Sequence, residues 1–173
     1  MNKIHLSISF EPMTRDQAAV LARWTYEGTY SIYSMDDSDE CINELMNGEY
    51  FLGVDPQRNN EVIGYICSGN SARVPGGYPA GIYEQSDCLD IGLGLRPDLT
   101  GKGIGQSFLI EAMGFLSVKY ATTSFQLVVA AFNERAIKVY ERAGFRRGDC
   151  FPSKVEDRKI EFLALKCLDD IGV

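Results

Sequence analysis

Leu95-Arg96-Pro97-Asp98-Leu99-Thr100-Gly101-Lys102-Gly103-Ile104-Gly105 carries an apolar strand through a glycine-rich turn into an amphipathic helix. Glycines at alternate positions leave the main chain bare, so an anion can come close. The first N–H groups of the following helix have no internal partners, and the helix dipole adds positive potential there. The segment is expected to hold a phosphate group. Its Gly-x-Gly-x-Gly spacing is not the dinucleotide fingerprint, and no Gly-Lys-Ser or Gly-Lys-Thr makes it a P-loop. Taken alone, it is equally a tight turn with no ligand.

Hydrophobic spacing predicts the elements on either side. Leu89, Ile91, Leu93 and Leu95 share one face of a strand over 89–95. Ile104, Phe108, Leu109, Ala112 and Leu116 recur at helical spacing over 103–120. The nearly unbroken apolar run 125–131 reads as a buried central strand. A helix over 133–143 follows, closed by Gly144, and final strands are expected at 145–147 and 159–167. Upstream, 3–10 alternates as a first strand. Thr14-Arg15-Asp16-Gln17 is a capping box that opens a helix through Ala18, Val20, Leu21 and Trp24. A second helix over 39–47 stops at Gly48. Strands 49–55 and 61–68 form a hairpin about the turn 55–60. The stretch 69–87, rich in Gly, Pro and Tyr, is a long loop of the kind that often carries function. With no repeat, linker or low-complexity segment, 1–173 is expected to be one mixed α/β domain.

Of the 173 residues, 45% are hydrophobic and 11% aromatic, ample for a core. The net charge of −7 argues against broad nucleic-acid binding, which needs a clustered basic face. The acid excess serves solubility or attracts a cationic small molecule. No stretch reads as a membrane span or signal peptide, so a soluble, cytoplasmic protein is expected. Cys41, Cys67, Cys88, Cys150 and Cys167 show no C-x-x-C spacing, and His5 is the sole histidine. Reduced thiols and no metal site are the expectation.

One strand beyond the glycine turn stands Asn133-Glu134-Arg135-Ala136-Ile137-Lys138-Val139-Tyr140-Glu141-Arg142-Ala143-Gly144-Phe145. Together the two segments resemble motifs A and B of the GNAT superfamily of acyl-CoA-dependent N-acetyltransferases. Thr100 to Gly105 stand where that family has (Gln/Arg)-x-x-Gly-x-(Gly/Ala), with Thr100 in place of the usual Gln or Arg. Asn133, Ala136, Ile137, Tyr140, Glu141, Gly144 and Phe145 match its second motif. The likeness spans 89–145.

The resemblance implies a mostly antiparallel sheet of six to seven strands, flanked by about four helices, with a splayed central strand pair. It implies acetyl-CoA as co-substrate and no metal. The pantetheine arm would then hydrogen-bond like an added strand to the main chain of Leu93 and Leu95. The diphosphate would rest on the amides of Gly101, Gly103, Ile104 and Gly105, with Lys102 and Gln106 beside it. Asn133, a preferred helix cap, would also contact the cofactor arm. Tyr140 would give a proton or hydrogen bond to the departing thiolate, and Arg135, Lys138 and Arg142 would face the adenosine end.

The reaction so implied is direct acetyl transfer to a primary amine through a tetrahedral intermediate, with a strand amide near Leu93 holding the oxyanion. The amine must lose a proton to a base or a water path. Glu27 and Asp90 are the candidate carboxylates, each otherwise a solvated or structural acid. Trp24, Tyr30 and Tyr83, in segments that also carry Asp36, Asp37, Glu84 and Asp87, suggest a pocket for a cationic small-molecule or peptide amine. The same aromatics would otherwise pack helices on the sheet. The alternative function is a non-catalytic acyl-CoA-binding or sensing domain on the same fold. Partners other than the amine are not expected among nucleic acids or membranes, while exposed strands near the C-terminus leave a homodimer open.

Overall fold

The computed structural model describes residues 7–84 and 87–168. Its strands are β1 (Ser9–Pro12), β2 (Tyr50–Asp55), β3 (Glu61–Ser68), β4 (Leu89–Leu95), β5 (Phe125–Ala130), β6 (Arg146–Val155) and β7 (Arg158–Cys167). The α-helices are α1 (Arg15–Leu21), α2 (Asp39–Leu45), α3 (Gly105–Tyr120) and α4 (Glu134–Arg142). One seven-stranded sheet runs in the order β1-β2-β3-β4-β5-β7-β6. Only β4 and β5 pair in parallel; every other neighbouring pair is antiparallel. The expected mixed, mostly antiparallel class is the one observed. Among the described residues, no helix is long and apolar enough to cross a membrane.

The two faces of the sheet are covered differently, and that difference makes the site. Side chains alternate along each strand. Phe51, Ile66, Leu127, Val129, Leu163 and Leu165 point to one face and form a continuous core with Phe108, Leu109, Ala112 and Leu116 of α3 and Ile137 of α4. The alternate residues point to the other face, where the core is split. Tyr50, Leu52, Val54 and Cys67 pack with α1, Trp24 and Leu45. Ala130, Phe151, Phe162 and Ala164 pack separately with Ile82. The gap between these two clusters lies over the β4–β5 boundary.

Several boundaries differ from expectation. Residues 1–6, where the first strand was expected to begin, lie outside the described residues, and β1 opens at Ser9. Thr14 does cap α1, its hydroxyl accepting from Gln17 N at 3.3 Å. The helix ends at Leu21, however, and Trp24 lies beyond it. Tight i→i+3 bonds from Arg23 N to Val20 O and Trp24 N to Leu21 O close the last turn, so Trp24 keeps its inward face outside the helix. Helix α3 starts at Gly105, because Gly101 and Gly103 hold φ of 72° and 79°, which no helix accepts. Strand β6 is much longer than 145–147. Its register slips between Arg147 and Cys150, a bulge that absorbs Gly148 and Asp149, and its edge position tolerates Pro152. The loop after β3 is not featureless. It folds into short 3-10 turns at Gly69–Ala72 and Pro75–Gly77, and Gly76 N donates to Ser153 Oγ of β6 at 2.9 Å.

Candidate active site

Strands β4 and β5 are held together at one end only. Their paired residues are Leu89 with Phe125 and Asp90 with Gln126. Leu89 N donates to Ser124 O at 2.9 Å and Gln126 Nε2 to Asp90 Oδ1 at 2.8 Å, so this end is pinned. Beyond Asp90 the strands part, and a cleft of about 800 Å³ opens between them. On β4, Arg96 N bonds Ile63 O of β3. Antiparallel alternation then turns the main chain of Leu93 and Leu95 away from β3 and into the opening. Gly94 faces Tyr65 across the ladder and Gly92 faces Cys67. A Cβ at Gly94 would overlap the Tyr65 ring, and one at Gly92 would sit 2.9 Å from Cys67 Sγ. The glycines of β4 therefore make room for side chains that line the cleft.

Two tyrosines from the segment after α1 cap the lips. Tyr26 Oη donates to Leu95 O at 2.6 Å on β4. On β5, Tyr33 Oη accepts from Ala130 N at 3.1 Å and from Asn133 Nδ2 at 3.3 Å. With both lone pairs of its oxygen engaged, Tyr33 must direct its own proton elsewhere, and Tyr33 lines the cleft. Burial pushes Tyr26 up to about 12 and raises Tyr33 and Tyr140 above the ordinary phenol value. All three are neutral hydrogen-bond donors near neutral pH.

The glycine turn closes one end of the cleft. Thr100, Gly101, Gly103 and Gly105 line it, while Lys102, Ile104 and Gln106 fall outside the lining. Ile104 caps α3 without a side-chain bond, which leaves the helix N–H groups uncovered by any side chain. Thr100 Oγ1 donates back to Pro97 O at 2.8 Å, so it does not replace the Gln or Arg usual in the family motif. The Arg135 guanidinium lies against Gly101, where a Cβ would come within 3.1 Å of Nη1, and its Cζ stands 4.7 Å from the centre of the Tyr30 ring. Lys138 and Arg142 of α4 line the same cleft.

Asn133 caps its helix as expected and also holds a tyrosine of the cleft. Its Oδ1 accepts from Ala136 N at 3.1 Å, capping α4, and its Nδ2 orients Tyr33. Two turns along α4, Tyr140 lines the cleft and packs against Phe145 with ring centres 6.2 Å apart.

The expected acceptor residues are distributed otherwise. Glu27 is exposed and outside the cleft lining. Asp90 is 4% exposed and outside it too, paired with Arg73 Nε at 2.8 Å and bonded to Gln126. Trp24 is buried in the core beside Tyr65. Tyr83 accepts from Val74 N at 2.8 Å and lies under the Arg73 guanidinium, 4.8 Å away, rather than in the cleft. Tyr30 is in the cleft, but at the Arg135 side.

Tyr50, Tyr65, Cys67, Arg73 and Lys154 line the cleft and were not singled out from sequence; strand pairing and loop folding bring them there. The Cys67 thiol is pushed up to about 12 by burial, so it is no nucleophile near neutral pH. Among the described residues of the lining, charge comes from Arg73, Arg135, Lys138, Arg142 and Lys154, with no Asp or Glu. The expected aromatic–carboxylate pocket is not what lines this cleft.

A family model for the acetyltransferase (GNAT) family matches residues 16–145. The chain belongs to the GNAT acetyltransferase family. Solved structures show the same fold. A spermidine N-acetyltransferase chimera of Vibrio cholerae SpeG and hSSAT is 18% identical, with a TM-score of 0.63 over 93% of this chain and 95% of that one. AAC(6')-Ib, solved with ribostamycin and coenzyme A, is 21% identical, with a TM-score of 0.65 over 91% and 92%. The protein yncA of Salmonella typhimurium, solved with its cofactor acetyl-CoA, is 14% identical, with a TM-score of 0.61 over 96% of both chains. No curated protein sequence matches the chain.

Proposed function

We propose that this GNAT-family protein transfers an acetyl group from acetyl-CoA directly to a primary amine. The observation that carries the reading is the one-ended β4–β5 pairing, which opens a cleft running from the glycine turn along Leu93 and Leu95. An extended amide-bearing arm fits that opening as an added strand, and the uncapped turn and α3 N-terminus suit its diphosphate. Arg135 supplies positive charge at that end, and Lys138 and Arg142 add to it from the same helix. Bound acetyl-CoA supplies an activated thioester carbonyl.

The Leu93 amide is the donor for the developing oxyanion. The N–C bond forms first and gives a tetrahedral oxyanion, whose collapse breaks the C–S bond; nitrogen gives up one proton and sulfur takes one. Tyr140 is the family's donor to sulfur, and Tyr33, whose proton has no partner on β5, is a second donor beside it. No carboxylate lines the described cleft, so the amine's proton leaves through water, and Asp90 and Glu27 act as structural or solvated acids.

Calorimetry with CoA and thiol release from acetyl-CoA over an amine panel test this reading. Binding with micromolar affinity and turnover of at least one amine are expected. Binding without turnover of any amine would favour the acyl-CoA-sensing alternative, and no binding at millimolar CoA would remove both.

A further inference from the structure

We infer that the acceptor is an amine that carries its own carboxylate close by, an amino acid, and that the Arg73 guanidinium receives that carboxylate. The inference rests on the acetyl-transfer reading and names the substrate class of the same cleft. Three observations carry it.

The first is the charge of the lining. A polyamine or aminoglycoside presents further ammonium groups, and each needs a carboxylate partner. The described lining offers none. The acids that touch lining residues are already engaged: Asp90 is paired with Arg73 Nε at 2.8 Å, and Glu49 accepts from Ser71 N at 3.0 Å.

The second is position. Besides the three cations of α4, the charges in the lining are Arg73 and Lys154. Arg73 follows Ala72, whose Cβ lies 3.7 Å from where a Cβ at Gly92 would be, and Gly92 adjoins Leu93. The loop that carries Arg73 thus passes beside the part of β4 that offers the Leu93 amide, and both residues line the one cleft. Lys154 lines the same cleft from β6, the strand whose Ser153 is bonded to Gly76 of that loop.

The third is rigidity. Asp90 holds Nε at 2.8 Å, the Tyr83 ring lies 4.8 Å below, and Gln126 fixes Asp90 in turn. A guanidinium held through Nε keeps its planar fork oriented, the geometry that grips a carboxylate through two parallel bonds. Asp90 is buried behind Arg73, outside the lining, so it anchors this receptor without filling it.

The test compares the common L-amino acids, the matching amino-acid amides and spermidine as acceptors, with CoA binding measured in parallel. We expect kcat/KM for the preferred amino acid to exceed that of its amide by about tenfold or more, the worth of one charge-assisted pair. Spermidine should fall below both. Arg73→Gln should remove that preference through KM while CoA binding persists, and Arg73→Lys should recover part of it. Should the Gln variant fail to fold, Lys154→Glu, at an exposed position, still lowers the acid-to-amide ratio. Amides or spermidine used as well as the acids would overturn the inference, as would CoA binding with no amino acid turned over. Absence of CoA binding would instead remove the reading beneath it.

Discussion

A phenol oxygen that accepts from two donors has only its proton left to give. Tyr33 is in that state between Ala130 N and Asn133 Nδ2, within the same cleft as Tyr140. Tyr140→Phe should lower kcat on the order of a hundredfold, as loss of a positioned acid does. Tyr33→Phe should lower it on the order of tenfold, by removing one neutral donor. Calorimetric CoA affinity should hold in both, and an equal fall in affinity and kcat would count against either role. Asp90→Asn tests the acid assigned to structure. Breaking its pair with the quarter-exposed Arg73 should cost about 2 kcal/mol in denaturant unfolding, while the pH profile of kcat keeps its shape. Tyr140 and Asn133 were legible because motif spacing places them on one helix face. Glu27 and Asp90 were not, because a carboxylate's chemistry depends on its partner, and Arg73 lies on a different loop. The choice among the aromatics of 24–33 needed the 3-10 turn at Gly28–Tyr33, which puts Tyr30 and Tyr33 on one side.

Elements with an uninterrupted period were read well, and punctuated ones were not. Strands β4 and β5 and helix α3 stand within two residues of expectation, because their apolar positions repeat without a break. The strand expected at 145–147 falls short of β6, whose Gly148 and Pro152 interrupt its sequence pattern. Only its pairing with β7 shows them to be a bulge and an edge residue. At the glycine turn, alternation foretold close approach, and the positive φ of Gly101 and Gly103 agrees. A Cβ added at Gly103 would meet no neighbour within 4 Å, so Gly103→Val acts chiefly through backbone strain of roughly 1–2 kcal/mol. We expect CoA affinity to fall about tenfold by calorimetry, with the circular dichroism spectrum unchanged. Unaltered affinity would show that the turn does not carry the diphosphate.

At the scale of the molecule, an acid-rich chain of net charge −7 keeps a cleft lined by cations alone among its described charges. Composition registers the sum and is blind to this partition. Burial of neutral phenols and a thiol also gives the fold an alkaline limit. Cys67 is raised from 9.0 and Tyr26 from 10.0, both to about 12. Raised folded values favour the protonated, folded form. Their contribution is whole below pH 9, the unfolded thiol value, and is lost as pH climbs toward 12. Unfolding followed by tyrosinate absorbance should steepen across that window, and a flat profile there would mean these groups are not buried in solution. The lips of the opening add one more consequence. Ala130 faces a vacancy in the ladder, yet its amide is covered by a side chain from a distant loop. Its hydrogen should exchange with deuterium as slowly as those of the closed ladder, and truncating that one phenol should release it while neighbouring amides toward β7 stay protected. The two half-sheets are thus riveted by backbone at one end and latched by aromatic hydroxyls at the other, so the gap holds its width before anything enters it.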